Sequence, residues 1–121
     1  MLAEYLARLE RDLVGSVLPV LVLVHVDRAG PIHGYGLIKA MTQAADGREL
    51  FKEGTVYPLL SDLEKQHLVR SRWGQGDAGP RRRYYEITAQ GRQALRIAVQ
   101  EWSRLRDGVD KIITDTRSVR G

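Results

Sequence analysis

Three features of this 121-residue chain predict a mainly α fold with a small β-hairpin. A short amphipathic helix over Glu53–Lys65 follows two earlier helical stretches. Two strand-like runs then flank a glycine-rich tip, and the chain closes on one long helix with heptad spacing. Helix, helix, helix, then a basic two-stranded hairpin is the order of a winged helix-turn-helix. A final helix with an a/d seam adds a C-terminal dimerisation helix.

Taken in order, Met1 to Asp12 carries Leu2 and Leu6, with Leu9 and Leu13 continuing the helical spacing and charges between them. This is an amphipathic helix suited to packing on its own domain or on a second subunit. Val14-Gly15-Ser16 reads as a break, with Ser16 as N-cap and Pro19 in the first turn of the next helix. Val17 to Arg28 is nearly all apolar and partly β-branched, so periodicity alone does not type it. Its length and the capping signal favour a buried helix. His25 on this segment reads as a core or boundary histidine, since no second ligand is near it. Gly30-Pro31 makes a turn, and Gly34 to Ala44 forms the second helix with Ile38 and Met41 inward. Gly34-x-Gly36 lacks the third glycine and the preceding strand of a dinucleotide loop. Ala45 to Lys52 connects to the third helix.

In that third helix Val56, Leu60 and Leu63 form an i, i+4, i+7 stripe for the core. Thr55, Tyr57, Pro58, Ser61 and Lys65 make up the opposite face, small and hydroxylated with a positive end. Such a face suits close approach to a polyanion, with short side chains toward base edges. Gly54 leaves the first turn uncrowded, so free N–H groups can face an anion. Pro58 is placed early, where a missing donor costs least. Leu68–Trp73 and Arg81–Thr88 are strand-like, and Gly74 to Pro80 between them has the glycines and proline of a hairpin tip. Thr88 caps a last helix reaching about Thr116. Along it Leu95, Ala98, Trp102, Leu105, Val109 and Ile112 are spaced 3, 4, 3, 4, 3. That seam is longer than one small domain covers, and burying it at roughly 1 to 2 kcal/mol per residue favours a dimer. Gly108 weakens the helix near its end and permits a bend. The resulting division is an N-terminal helix (1–14), a winged helix-turn-helix (15–88) and a dimerisation helix (89–121).

Charge points to the kind of partner. The net charge is +4, and between Gln66 and Arg83 five arginines (Arg70, Arg72, Arg81, Arg82, Arg83) face only Asp77. The remaining 14 basic and 14 acidic residues cancel, so the whole excess lies beside the third helix. The absence of cysteine excludes disulfides and thiolate chemistry. Three separated histidines (His25, His33, His67) and no acid cluster assemble neither a metal site nor a nucleophile–base pair, so no enzyme and no cofactor is expected. Glu4, Glu10 and Asp12 stand where a signal peptide needs basic then apolar residues, and Val17–Val26 spans about half a bilayer core. A cytoplasmic protein without membrane contact is expected. A winged-helix protein-interaction module without DNA binding is the alternative, and Arg81 to Arg83 argue against it.

These pieces together resemble the PadR family of bacterial winged-helix transcriptional regulators. The matching residues are Gly15-Ser16-Val17-Leu18-Pro19, His33-Gly34-Tyr35, Glu53-Gly54-Thr55-Val56-Tyr57-Pro58, Leu63-Glu64-Lys65, Leu68-Val69, Gly79-Pro80, Arg82-Arg83-Tyr84-Tyr85 and Thr88-Ala89-Gln90-Gly91. They cover about Gly15 to Ile113, and the single terminal helix is similar to the family's shorter subclass. Two departures stand out: Gln66-His67 replaces an acidic-glycine pair after the third helix, and Gly36 replaces a frequent acid. The resemblance implies a homodimeric repressor of a neighbouring gene, often an efflux pump or a phenolic-acid detoxification enzyme, which releases its palindromic operator when a ligand binds. The candidate DNA-binding residues are His33, Tyr35, Lys52, Gly54, Thr55, Tyr57, Pro58, Ser61, Lys65, Arg81, Arg82 and Arg83. Leu95, Ala98, Trp102, Leu105, Val109 and Ile112 are the dimer seam or effector pocket. Two readings of Trp102 stand: a large residue sealing the dimer, or half of an indole-walled slot for a planar aromatic effector.

Overall fold

The computed structural model describes residues 1–48, 51–74 and 79–115. Helix α1 (Leu2–Ala29) leads through a two-residue strand β1 (Ile32–His33) into α2 (Gly34–Ala44) and α3 (Glu53–Lys65). The hairpin β2 (Val69–Gly74) and β3 (Arg82–Ile87) follows, then α4 (Ala89–Thr114). The sheet is antiparallel in the order β1-β3-β2, with Ile32 opposite Tyr85 and Val69 opposite Ile87. This is the expected mainly helical fold with a winged hairpin. Residues 75–78 of the expected hairpin tip and Thr116 lie outside the described residues.

The core gathers one stripe from each helix. Leu18, Val22 and Val26 of α1 meet Leu37 and Met41 of α2. Val56, Leu60 and Leu63 of α3, with Val69, Tyr85, Ile87 and Leu95, complete the cluster. The stripe read for α3 is fully buried, worth about 2 kcal/mol per side chain. On α2, Met41 is buried as expected, whereas Leu37 takes the fully buried place and Ile38 packs at the margin.

The expected break at Val14-Gly15-Ser16 is absent, because α1 runs unbroken through it. The Ser16 hydroxyl donates back to the Leu13 carbonyl at 2.8 Å and caps nothing. Pro19 is therefore interior to α1, where it leaves the Gly15 carbonyl without its helical donor. Burial of Leu18, Val22 and Val26 outweighs that loss. His25 is half-buried and its Nδ1 donates to the Leu21 carbonyl at 2.8 Å, a boundary histidine as read. Pro58 is likewise the sixth residue of α3, beyond the first turn in which it was expected.

The turn after α3 closes by two backbone bonds, His67 N–H to the Glu64 carbonyl and Leu68 N–H to the Leu63 carbonyl, both 3.0 Å. This geometry needs a left-handed residue, and His67 adopts it with φ 61° where the family resemblance expects glycine. Thr88 then locks the start of α4 to the same turn. Its hydroxyl donates to the His67 carbonyl at 2.6 Å and accepts from Gly91 N–H at 3.0 Å. The hairpin is thereby hung between the end of α3 and the start of α4.

Candidate nucleic-acid interface

Val56, Leu60 and Leu63 bury the core side of α3, Leu59 and Glu64 are half-buried, and the rest of the helix faces solvent. Lys52, Gly54, Thr55, Pro58, Ser61 and Lys65 are all exposed, and Tyr57 is partly so. Among the described residues no side chain caps the N-terminus of α3, where Thr55 N–H already bonds the Lys52 carbonyl at 3.0 Å, and a side chain at Gly54 would meet nothing. Tyr57 is less free than its neighbours. Its ring lies against buried Gly34, where any Cβ would collide with it, so glycine at the start of α2 seats this tyrosine.

At the start of α2, His33 is the N-cap. Its Nδ1 accepts the Gly36 N–H at 3.0 Å, which requires an unprotonated nitrogen there. Its ring stacks on Tyr35 with centroids 6.3 Å apart and meets Tyr84 edge-on. Arg82 Nη1 rests 3.0 Å from Nε2, and the guanidinium lies 5.8 Å from the Tyr35 ring centre. Partial burial first, then the Arg82 charge, lowers the His33 pKa below its ordinary 6.5. At Gly36, where the family often has an acid, a Cβ would stand 3.1 Å from the His33 ring.

Strand alternation divides the wing's cations. Arg70 and Glu86 face each other across the hairpin and pair at 2.9 Å. Arg83 turns toward α3, where it pairs with Glu64 at 3.4 Å and donates to the Ser71 hydroxyl at 2.7 Å. Arg72 and Arg81 are exposed and carry no ion pair among the described residues, as do Lys52 and Lys65. Contacts thus join His33, Tyr35 and Arg82, and they join Arg83 to the end of α3. Lys52, Thr55, Pro58, Ser61, Lys65 and Arg81 are exposed and carry no side-chain hydrogen bond or ion pair to that cluster among the described residues. Arg72, Trp73 and Glu64 stand outside the expected site residues; alternation along β2 puts Arg70 and Arg72 on one face and Trp73, opposite Arg83, on the other, while Glu64 comes from α3.

A family model, the transcriptional regulator PadR-like family, matches residues 22–97. The chain belongs to that family. A PadR family transcriptional regulator from Eggerthella lenta is 32% identical to this PadR-like chain. Its structure covers 94% of this chain and 96% of its own, with a TM-score of 0.79. A transcriptional regulator from Clostridium thermocellum superposes with a TM-score of 0.77 at 25% identity, over 85% of this chain and 99% of its own. A curated relative, uncharacterized protein X of Lysinibacillus sphaericus, is 28% identical over 78 residues, which is 64% of this chain and 72% of its length. Family and fold make this PadR-like protein a DNA-binding transcriptional regulator. No helix among the described residues is long and apolar enough to cross a membrane.

Proposed function

We propose that this PadR-like protein is a homodimeric repressor that reads a palindromic operator with α3 and holds the flanking phosphates with its wing. The reading rests on one observation: α3 keeps a solvent-facing side of small and hydroxylated residues, and Lys52, Lys65, Arg72 and Arg81 are exposed with no ion pair among the described residues. Small hydroxyl side chains on a core-anchored helix suit base edges, and exposed cations suit phosphates. The regulated gene on this reading is an adjacent efflux or detoxification gene. The test is a mobility-shift titration at several salt concentrations. A duplex selected by the protein from a random pool should bind at least a hundredfold tighter than an unselected duplex, and both affinities should fall steeply with salt. Equal, salt-insensitive affinities overturn the reading.

Ligand response is part of the proposal. A cleft of about 590 Å³ runs between α1 and α4, lined by Val17, Val20, Leu21, Ala98, Trp102 and Leu105. Its size and apolar walls suit a planar aromatic molecule stacked on the Trp102 indole. An occupant that favours one angle between subunits would change the spacing of the two α3 helices, and the operator measures that spacing.

A further inference from the structure

The wing is fastened to α3 by a closed set of side chains. Glu64 sits at the last turn of α3 with its two carboxylate oxygens divided between the strands of the hairpin. Oε2 accepts from the Ser71 hydroxyl of β2, and Oε1 accepts from Arg83 Nη2 of β3 at 3.4 Å. The triangle is completed by Arg83 Nε, which donates to Ser71 Oγ at 2.7 Å. On its far side the Arg83 guanidinium lies 5.7 Å from the centre of the Trp73 ring, its cross-strand neighbour. A carboxylate, a hydroxyl and an indole thus occupy the one wing arginine that faces α3, while Arg72 and Arg81 on the same hairpin carry no ion pair among the described residues.

We infer that Glu64 is a specificity-determining residue: it withholds Arg83 from phosphate and fixes the angle between the wing and the reading helix. Two physical consequences lead there. Each additional cation free to neutralise a phosphate strengthens binding to any sequence and steepens its salt dependence, so an untethered Arg83 would raise non-specific affinity. Base readout by α3 and phosphate contact by the wing must also occur together on one groove geometry. A wing clamped to the last turn of α3 enforces that coincidence, whereas a loose wing binds DNA with α3 out of register. The inference rests on the proposed DNA reading of α3 and the wing.

The test is the variant Glu64→Gln, which keeps an acceptor for Ser71 and removes the charge that holds Arg83. Both ion-pair partners are partly exposed, with side chains 45% and 33% accessible, so the fold should survive the loss. On an unselected duplex the slope of log affinity against log salt should steepen by roughly one. The preference for the selected duplex should fall about tenfold. Adding Arg83→Ala to Glu64→Gln should return the slope on unselected DNA to the wild-type value. Without DNA, and with Trp102 replaced by phenylalanine, Glu64→Gln should shift the emission of Trp73, because its cationic neighbour is no longer held. A lower melting temperature with unchanged salt slope and unchanged preference would leave Glu64 as a stability contact only and overturn the inference. Wild-type protein that fails to bind either duplex overturns the DNA reading itself, a different result from a binder indifferent to Glu64→Gln.

Discussion

His33 couples backbone capping to the charge around it, and its protonation state should be visible in stability. The imidazole must be neutral at Nδ1 to accept the Gly36 N–H, and it lies against the cation of Arg82. Burial and Arg82 lower its folded pKa beneath 6.5, the value expected of the unfolded chain. Between those two values the unfolded chain holds more protons, so stability should rise with pH up to about 6.5 and be lost as pH falls below it. Thermal melts from pH 7.5 down to 5 should show this slope, and His33→Asn, a cap that does not titrate, should flatten it. An unaltered slope in that variant would place the titration elsewhere. Gly91 is the second residue on which the fold turns. A Cβ there would collide with the Leu68 carbonyl and the Ile87 side chain. Backbone held by Thr88 cannot move aside. Gly91→Ala should therefore cost on the order of 3 kcal/mol in urea unfolding, and a change below about 0.5 kcal/mol would show that α4 can shift.

At the scale of elements, the proposed function divides the work of binding between α3 and the hairpin. Arg72 of β2 and Arg81, just before β3, are exposed and carry no ion pair among the described residues, which suits sequence-independent phosphate contact. Arg72→Ala with Arg81→Ala should weaken binding to selected and unselected DNA alike and flatten the salt slope by roughly two. Thr55→Ala with Ser61→Ala should instead cost about 1 to 3 kcal/mol on the selected duplex and little on the other. Loss confined to the selected duplex in the arginine variant contradicts the division. The turn between these elements matters as much as their faces. His67 supplies the left-handed geometry through which the hairpin follows α3, a conformation that histidine tolerates better than most side chains.

At the scale of the molecule, the helices expose more apolar surface than the core absorbs. Leu95 is buried and Ala98 is partly covered, yet Leu105 and Ile112 are 60% and 68% exposed, and Val109 and Trp102 are also open. Leu2, Leu6, Leu9 and Leu13 of α1 are exposed as well. A contiguous apolar face of this kind fits a second copy of the chain, with α4 and the first half of α1 contributing. Leu105→Asp with Val109→Asp should convert a dimer to a monomer in sedimentation and abolish tight operator binding. A dimer mass for that variant sinks the seam. For the proposed effector slot, Trp73→Phe isolates the signal of Trp102. Saturable quenching by planar aromatic compounds, lost together with relief of DNA binding in Trp102→Ala, is the expected result, and an unresponsive Trp102 would leave it as packing.

Sequence alone determined what periodicity and chain chemistry encode locally. The α3 stripe of Val56, Leu60 and Leu63, the Thr88 cap, the hairpin strands and the charge beside them were all legible, because each is written in residues only a few positions apart. Gly91, named only as part of a motif, has its reason in the close approach of the Leu68 carbonyl from another segment. The tertiary structure decided what depends on distant partners. Strand β1 has two residues, too few for any period, and exists because Tyr84 and Tyr85 lie opposite it. The continuity of α1 across Gly15 and Ser16 overrode a capping signal, since core burial on the C-terminal side outweighs a weak local preference. Arg82 and Arg83 are neighbours in sequence with equal charge, and only the pleat sends one to His33 and the other to Glu64. Composition counts them alike, because charge is a property of the residue whereas its availability is a property of what lies across the fold.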